Sequence, residues 1–427
     1  QAHHAVGLAE ADHGAREIEC PVAIAHEGAD PDLDVEHEGA GALGDLLAHD
    51  RAGDQRDRLD RAGDVAQRVH APVRRRELGA RRGDRCAQVA ELSDAGRQVV
   101  VVSSGAIAMG SHRLGWSHPG RSIPEKQAAA AVGQIALMER YRLGFARRGR
   151  QVAQVLVTRV GLDDRERYLN AERTLTTLLK LGVVPIVNEN DTVSTEEIRF
   201  GDNDNLSATV VNLIGADLLI LLTDVDGLFR EAPTPGKPAP PLYDVVPQIT
   251  PEVTRAAQGS GHAFGRGGMI TKLEAAQKAA LSGAATVIAN GRRRNTLLRI
   301  AAGEAEGTLF LPGPPETRLG SRKHWLAFTA RPRGDLLIDE GAAAALRERG
   351  RSLLPAGVTD VRGDFGIGDV VRCVDPGGRE VARGLVAYSA AEVARIRGLP
   401  TRQIVPVLGY SNGSEVIHRD DLVVVGN

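Results

Sequence analysis

Four short polar runs and one glycine-rich loop are where this chain could do chemistry. Asn188-Glu189-Asn190-Asp191 groups two carboxylates and two amides, more polar side chains than a plain turn requires. Gly201-Asp202-Asn203-Asp204-Asn205 precedes an apolar helical stretch; one Asp or Asn would cap that helix and place negative charge at the dipole's positive end, and the run offers four. Ser103-Ser104-Gly105-Ala106 has small side chains and backbone amides that allow a ligand to approach closely. Thr223-Asp224 ends an apolar run and leads into Val225-Asp226-Gly227, which suits either a turn or a nucleotide contact. Gly265-Arg266-Gly267-Gly268-Met269-Ile270-Thr271-Lys272 runs glycines into a helix start, where bare amides attract phosphate and a lysine neutralises charge moving between donor and acceptor. Alone, that loop looks like any flexible loop, and it is no Walker A motif: GxxxxGK[ST] is absent, and Gly236-Lys237 continues into Pro238. Together the five runs point to phosphoryl transfer to a small polar acceptor.

The elements that must position these runs follow from the apolar pattern. Val99–Val102, Val152–Val157, Val183–Val187, Leu218–Leu222 and Thr286–Ala289 read as strands. Between them, Lys126–Phe145, Arg165–Leu181, Asn205–Ile214 and Ile270–Ser282 read as helices. Strands apolar on both faces and separated by helices predict an α/β fold, a parallel sheet with helices on both sides. Ligands bind such sheets at the carboxyl ends of the strands, where the polar runs fall.

Composition limits the alternatives. The 427 residues carry 53 Lys+Arg and 55 Asp+Glu, a net charge of −2, which argues against a general nucleic-acid or membrane-surface binder. Cys20, Cys86 and Cys373 form no CxxC pair, so neither a disulfide framework nor a structural zinc site is expected. No apolar run approaches the ~20 residues that span a bilayer, and no basic-then-apolar signal pattern opens the chain, so a cytoplasmic protein is expected.

Texture changes near residue 90. The first aromatic is Trp116, the first lysine is Lys126, and seven of the twelve histidines precede residue 90. Stretches such as RAGDQRDRLDRAGDVAQRV bury too little apolar surface to offset chain entropy. Residues 1–86 are therefore read as a disordered leader or as the product of a shifted reading frame; a histidine metal site is disfavoured because ligand spacing is missing. No strand is expected before Val99.

The strings VSSGAIAMG (Val102–Gly110), QAAAAVGQ (Gln127–Gln134), VPIVNENDTV (Val184–Val193), FGDNDNLSA (Phe200–Ala208), LLTDVDGL (Leu221–Leu228) and GRGGMITKL (Gly265–Leu273) make the chain resemble the glutamate 5-kinases of the amino acid kinase family. The resemblance implies an αβα sandwich over residues 87–312 and ATP-dependent phosphorylation of the γ-carboxylate of L-glutamate, the first step of proline biosynthesis. It implies glutamate held by Ser104, Asp191 and Asn203. It implies ATP held by Thr223, Asp224 and the run Gly267, Gly268, Met269, Ile270, Thr271 and Lys272, with Mg2+ accompanying the nucleotide. Lys272 would stabilise the transferring group and Asp204 would orient the lysines and substrate; removing Lys272 is expected to lower turnover and leave folding intact. Proline as a feedback inhibitor and assembly as a homo-oligomer are implied too. Arg266 stands where the family commonly has Thr, and the family's opening strand with its glycine turn and early lysine has no visible counterpart.

Beyond the Pro- and Gly-rich stretch Leu311–Arg318, residues 322–427 alternate short apolar runs with glycines. Leu336–Ile338, Ser352–Leu354, Val370–Val374, Val381–Val386, Ile404–Leu408 and Leu422–Val425 read as strands of a small β-barrel. DEGAAAAL, GRSLLPAGV, GDFGIGDVV and HRDDLV resemble the PUA domain. From Arg331 onward 13 Arg meet 13 Asp+Glu with no Lys, so a structural or regulatory role is favoured over RNA binding. A chain cut before Trp325 is expected to keep a folded core. The alternative to an active kinase is an impaired relative serving as a regulatory or RNA-associated module; a kinase for acetylglutamate or carbamate is disfavoured by the attached barrel.

Overall fold

Six-residue runs rich in Val, Ile and Leu form most strands of the larger sheet in the computed structural model, which describes residues 21–26, 85–194, 202–231, 233, 237–259 and 268–425. In chain order come β1 (Pro21–His26), α1 (Arg85–Asp94), β2 (Gln98–Ser103), α2 (Ala106–Arg113), α3 (Ile123–Ala146), β3 (Val152–Val157), the single turn α4 (Arg159–Leu162) and α5 (Arg165–Lys180). Then follow β4 (Val184–Glu189), α6 (Asp202–Ile214), β5 (Leu218–Thr223), β6 (Val245–Val246), α7 (Pro251–Gly259), α8 (Met269–Leu281), β7 (Ala285–Asn290), α9 (Thr296–Ala301), β8 (Thr308–Phe310) and α10 (Ser321–Phe328). The eight strands lie in the order β3-β4-β2-β1-β5-β7-β8-β6, parallel except where β8 runs against β7.

Period-two alternation sorts the sheet's side chains into two cores. Val100, Val102, Leu219, Leu221 and Ile288 pack with α5, α6, α8 and α10 on one face. Val99, Val101, Leu218, Ile220 and Leu222 pack with α1, α2, α3 and α9 on the other. Both faces are buried, which is why these strands read as continuous apolar runs.

A strand before Val99 was not expected, yet β1 is hydrogen-bonded in parallel to β2 from Pro21↔Gln98 to His26↔Ser103, and to β5 from Val22↔Leu218 to His26↔Leu222. Four apolar residues between a proline and a histidine give too short a run to stand out among charged neighbours. A strand bonded on both sides needs only extended backbone. Apart from β1 and α1, whose first two residues are Arg85 and Cys86, the segment read as a leader lies outside the described residues. Cys86 and Cys373 are buried.

Helix α2, also missed, follows Gly105 in the left-handed region (φ 104°) and crosses α3 at backbone contact. A Cβ on Gly133 would lie 1.7 Å from the Ala106 carbonyl oxygen, and one on Gly110 1.7 Å from that of Ala129. The start of α3 is set by a capping box between Ser122 and Glu125.

The second sheet is built from β9 (Gly334–Ile338), α11 (Glu340–Arg349), β10 (Val358–Gly363), β11 (Val370–Val374), β12 (Glu380–Leu385), α12 (Ala390–Ile396), α13 (Ile404–Leu408) and β13 (Leu422–Val424). Its strands pair in the order β10-β9-β11-β12-β13, with only β9 and β11 parallel. Two expected strands are corrected. Ser352–Leu354 contributes one bridge, Leu353 to Ile417. Ile404–Leu408 is the helix α13, because Pro406 cannot donate to a ladder and Gly409 (φ 86°) ends the turn.

The expectation that a chain cut before Trp325 keeps a folded core conflicts with the packing of Trp325. Trp325 is 2% exposed, donates Nε1–H to the Leu162 carbonyl at 2.9 Å and packs on Tyr168, while α10 also contacts β12 and β13. Cutting before Trp325 would therefore open the larger domain's own core. Gly133→Ala should lower stability by about 3 kcal/mol or more, because two backbones must separate; a thermal midpoint within a degree or two of the parent would contradict this packing.

Candidate active site

Polar runs lie at the carboxyl ends of β2, β4 and β5, as the parallel sheet requires, and those after β2 and β4 meet through Asn203. Beside β2, the Asn203 amide nitrogen donates to the Ser103 carbonyl (3.0 Å), to Ser104 Oγ (2.6 Å) and to Asn188 Oδ1 (3.2 Å). Asn188, 3% exposed at the end of β4, donates from Nδ2 to Gln134 Oε1 at 2.9 Å. Gln134 adjoins Gly133, so the close α2–α3 crossing also places the amide that orients Asn188. Because the Asn203 nitrogen already serves three acceptors, what it offers a ligand is Oδ1. Asp191 is half-buried in the turn after β4, where the Asn190 N–H donates to the Val157 carbonyl at 2.8 Å.

The next residue along faces a different partner. Asp204 and Lys272 are each 2% exposed and form an ion pair at 3.2 Å. Thr271 Oγ1 donates to Asp204 Oδ2 at 2.6 Å. Burial pushes the Asp204 carboxyl above the usual carboxylate range, opposed by the charge of Lys272 and by hydrogen bonds from Thr271 and Lys272. The run 202–205 thus lies inside the first turn of α6 rather than before it, where Asp and Asn are favoured beside unpaired N–H groups.

On the far side of β1, Thr223 ends β5 half-buried and Asp224 follows it exposed, with Thr223 Oγ1 3.3 Å from Asp224 Oδ1. Gly268 precedes α8 without a side-chain cap; Met269 packs in the core, so any ligand contact there is through backbone. Gly267, with Gly265 and Arg266, lies outside the described residues. The structure therefore joins Ser104 with Asn203 and joins Asp204 with Thr271 and Lys272, while Thr223 and Asp224 form a separate edge. Asn188 was noted only as part of its polar run and Gln134 not at all, although both lie inside strings that carry the resemblance. Their roles depend on long-range contacts that no local spacing reveals.

Residues 80–290 match the amino acid kinase family and residues 334–408 match the PUA domain. The parallel sheet with its polar strand ends is that of an amino acid kinase. The glutamate 5-kinase of Geobacter sulfurreducens is 52% identical over 343 residues, covering 80% of this chain and 91% of that protein. That of Cupriavidus taiwanensis is 53% identical over 339 residues, covering 79% and 90%. The chain belongs to the glutamate 5-kinase family.

The expectation that Lys272 can be removed without affecting folding is corrected by its burial. Lys272→Ala should lose about 3–5 kcal/mol by stranding the Asp204 carboxylate. Asp204 is raised already and rises further without the ammonium, so the fold favours its protonated form. The deficit should be smallest below the ordinary carboxylate pKa of about 4 and grow as pH rises through the higher folded-state value. Thermal melts of both proteins from pH 4 to 8 check this; a deficit that is constant with pH would contradict it.

Proposed function

We propose that this chain transfers the γ-phosphoryl group of ATP to the γ-carboxylate of L-glutamate, giving L-glutamyl 5-phosphate at the start of proline biosynthesis. The observation that carries this reading is the adjacency of Asn203 and Asp204 at the start of α6. One belongs to the polar cluster of Ser104 and Asn188, the other to the buried pair with Lys272 at the start of α8. A single helix turn thus ties an acceptor-side cluster to the cation that would meet the moving phosphoryl group.

In this reading Ser104 and Asn203 orient glutamate, with Asn203 Oδ1 and the Asp191 carboxylate suited to its ammonium group. A carboxylate oxygen is already nucleophilic, so the residues need only align it and offset charge. Lys272 supplies the positive charge, and Asp204 with Thr271 holds it in place. Thr223, Asp224 and the backbone from Gly267 into α8 receive ATP. Among the described residues no cluster of three His, Cys, Asp or Glu side chains is placed to hold a metal. In this reading Mg2+ arrives on the phosphate oxygens of ATP.

A cytoplasmic location, inhibition by proline and assembly into a homo-oligomer belong to the same proposal. Among the described residues no helix is long and apolar enough to cross a membrane. With ATP and hydroxylamine trapping of the acyl phosphate, glutamate should react at least about tenfold faster than N-acetylglutamate, which lacks the ammonium charge. Faster reaction of the acetylated acceptor would overturn the assignment.

A further inference from the structure

Thr223 ends β5 and Asp224 opens the loop after it, which has no regular structure of its own and is held from outside the ATP edge. Asn290, ending β7, donates to Asp226 Oδ1 at 2.8 Å and to the Asp224 carbonyl at 3.4 Å. Arg293 grips both Asp226 oxygens, Nε to Oδ1 at 3.1 Å and Nη2 to Oδ2 at 2.8 Å. Its remaining nitrogen, Nη1, reaches Glu306 Oε1 at 3.2 Å, and Glu306 Oε2 lies 2.6 Å from Arg299 Nη1. At the loop's other end the Leu228 N–H donates to Thr308 Oγ1 at 2.9 Å, while Gly227 (φ 151°) leaves that oxygen room.

Exposure distinguishes this chain of charges from an ordinary surface pair. The Arg293 and Arg299 side chains are 46% and 39% exposed, whereas that of Glu306 is 1% exposed. Exposed pairs hold little in place, but a buried carboxylate costs free energy unless its partners are fixed. Hydrogen bonds from Asn290 and then Arg293 hold the Asp226 carboxyl below the usual carboxylate range, despite partial burial.

We propose that Arg293 and Glu306 are positioning residues for the nucleotide: Glu306 fixes the Arg293 guanidinium, which fixes Asp226 and so sets Thr223 and Asp224 in the arrangement that receives ATP. The inference rests on reading Thr223 and Asp224 as the ATP contacts.

The test uses the full chain with Arg293→Ala, Arg293→Lys and Glu306→Gln. KM for ATP should rise about tenfold in Arg293→Ala, with kcat and KM for glutamate within about twofold. Binding of the non-hydrolysable β,γ-imido analogue of ATP, followed by calorimetry, should weaken in parallel. Arg293→Lys should recover only part of the loss, since an ammonium keeps the charge but cannot grip both oxygens. If Glu306→Gln does not fold, the half-exposed Arg293 variants decide the matter alone. Unchanged KM and analogue affinity in Arg293→Ala, with only a lower melting midpoint, would leave the clamp structural and overturn this inference by itself. A parent chain that binds no analogue would overturn the ATP reading as well.

Discussion

One ion pair, Lys272 with Asp204, sits where the molecule can least afford an unpaired charge. Both residues are 2% exposed, between helices α6 and α8, whose inward faces are mostly apolar. Neither charge could be buried there alone, so each helix start is fixed relative to the other. Replacing such a pair with apolar side chains often costs nothing, so stability alone does not account for its presence. Its position does, since it sets an ammonium group beside the start of α8, one residue along from the amide that organises Ser104 and Asn188.

The sheet supplies the frame for that pair. β1 stands at the centre, with β2 and β4 carrying the Ser104 and Asn188 side and β5 and β7 carrying the Thr223 and Asn290 side. Helix α6 lies against β1 and so spans the division between the two halves. The glycine crossing of α2 and α3 acts on one half through Gln134, and the Asp226–Arg293–Glu306 chain acts on the other. Each half has support from behind, and the ion pair lies between them.

Much of this was legible in the sequence. Buried parallel strands announce themselves as runs of Val, Ile and Leu, and the polar residues directly after them mark the ligand end of the sheet. Legibility failed where the decisive contact is distant. PVAIAH is a strand because β2 and β5 bond to it, and IVPVL is a helix because Pro406 and Gly409 outweigh its β-branched residues. Trp325 reads as part of a second domain until its indole N–H is seen on the Leu162 carbonyl. Lys272 reads as a charge at the helix start that folding does not need, since its burial depends on Asp204, 68 residues away.

The most direct measurement replaces both members of the pair at once, Asp204→Leu with Lys272→Met, and compares the double variant with each single one. The expected result is a thermal midpoint within a few degrees of the parent and above both single variants, with phosphoryl transfer from ATP to glutamate lowered by about a thousandfold or more. A double variant no more stable than the single ones, or one that keeps turnover within about tenfold of the parent, would contradict the view that this pair is kept for its charge at the site.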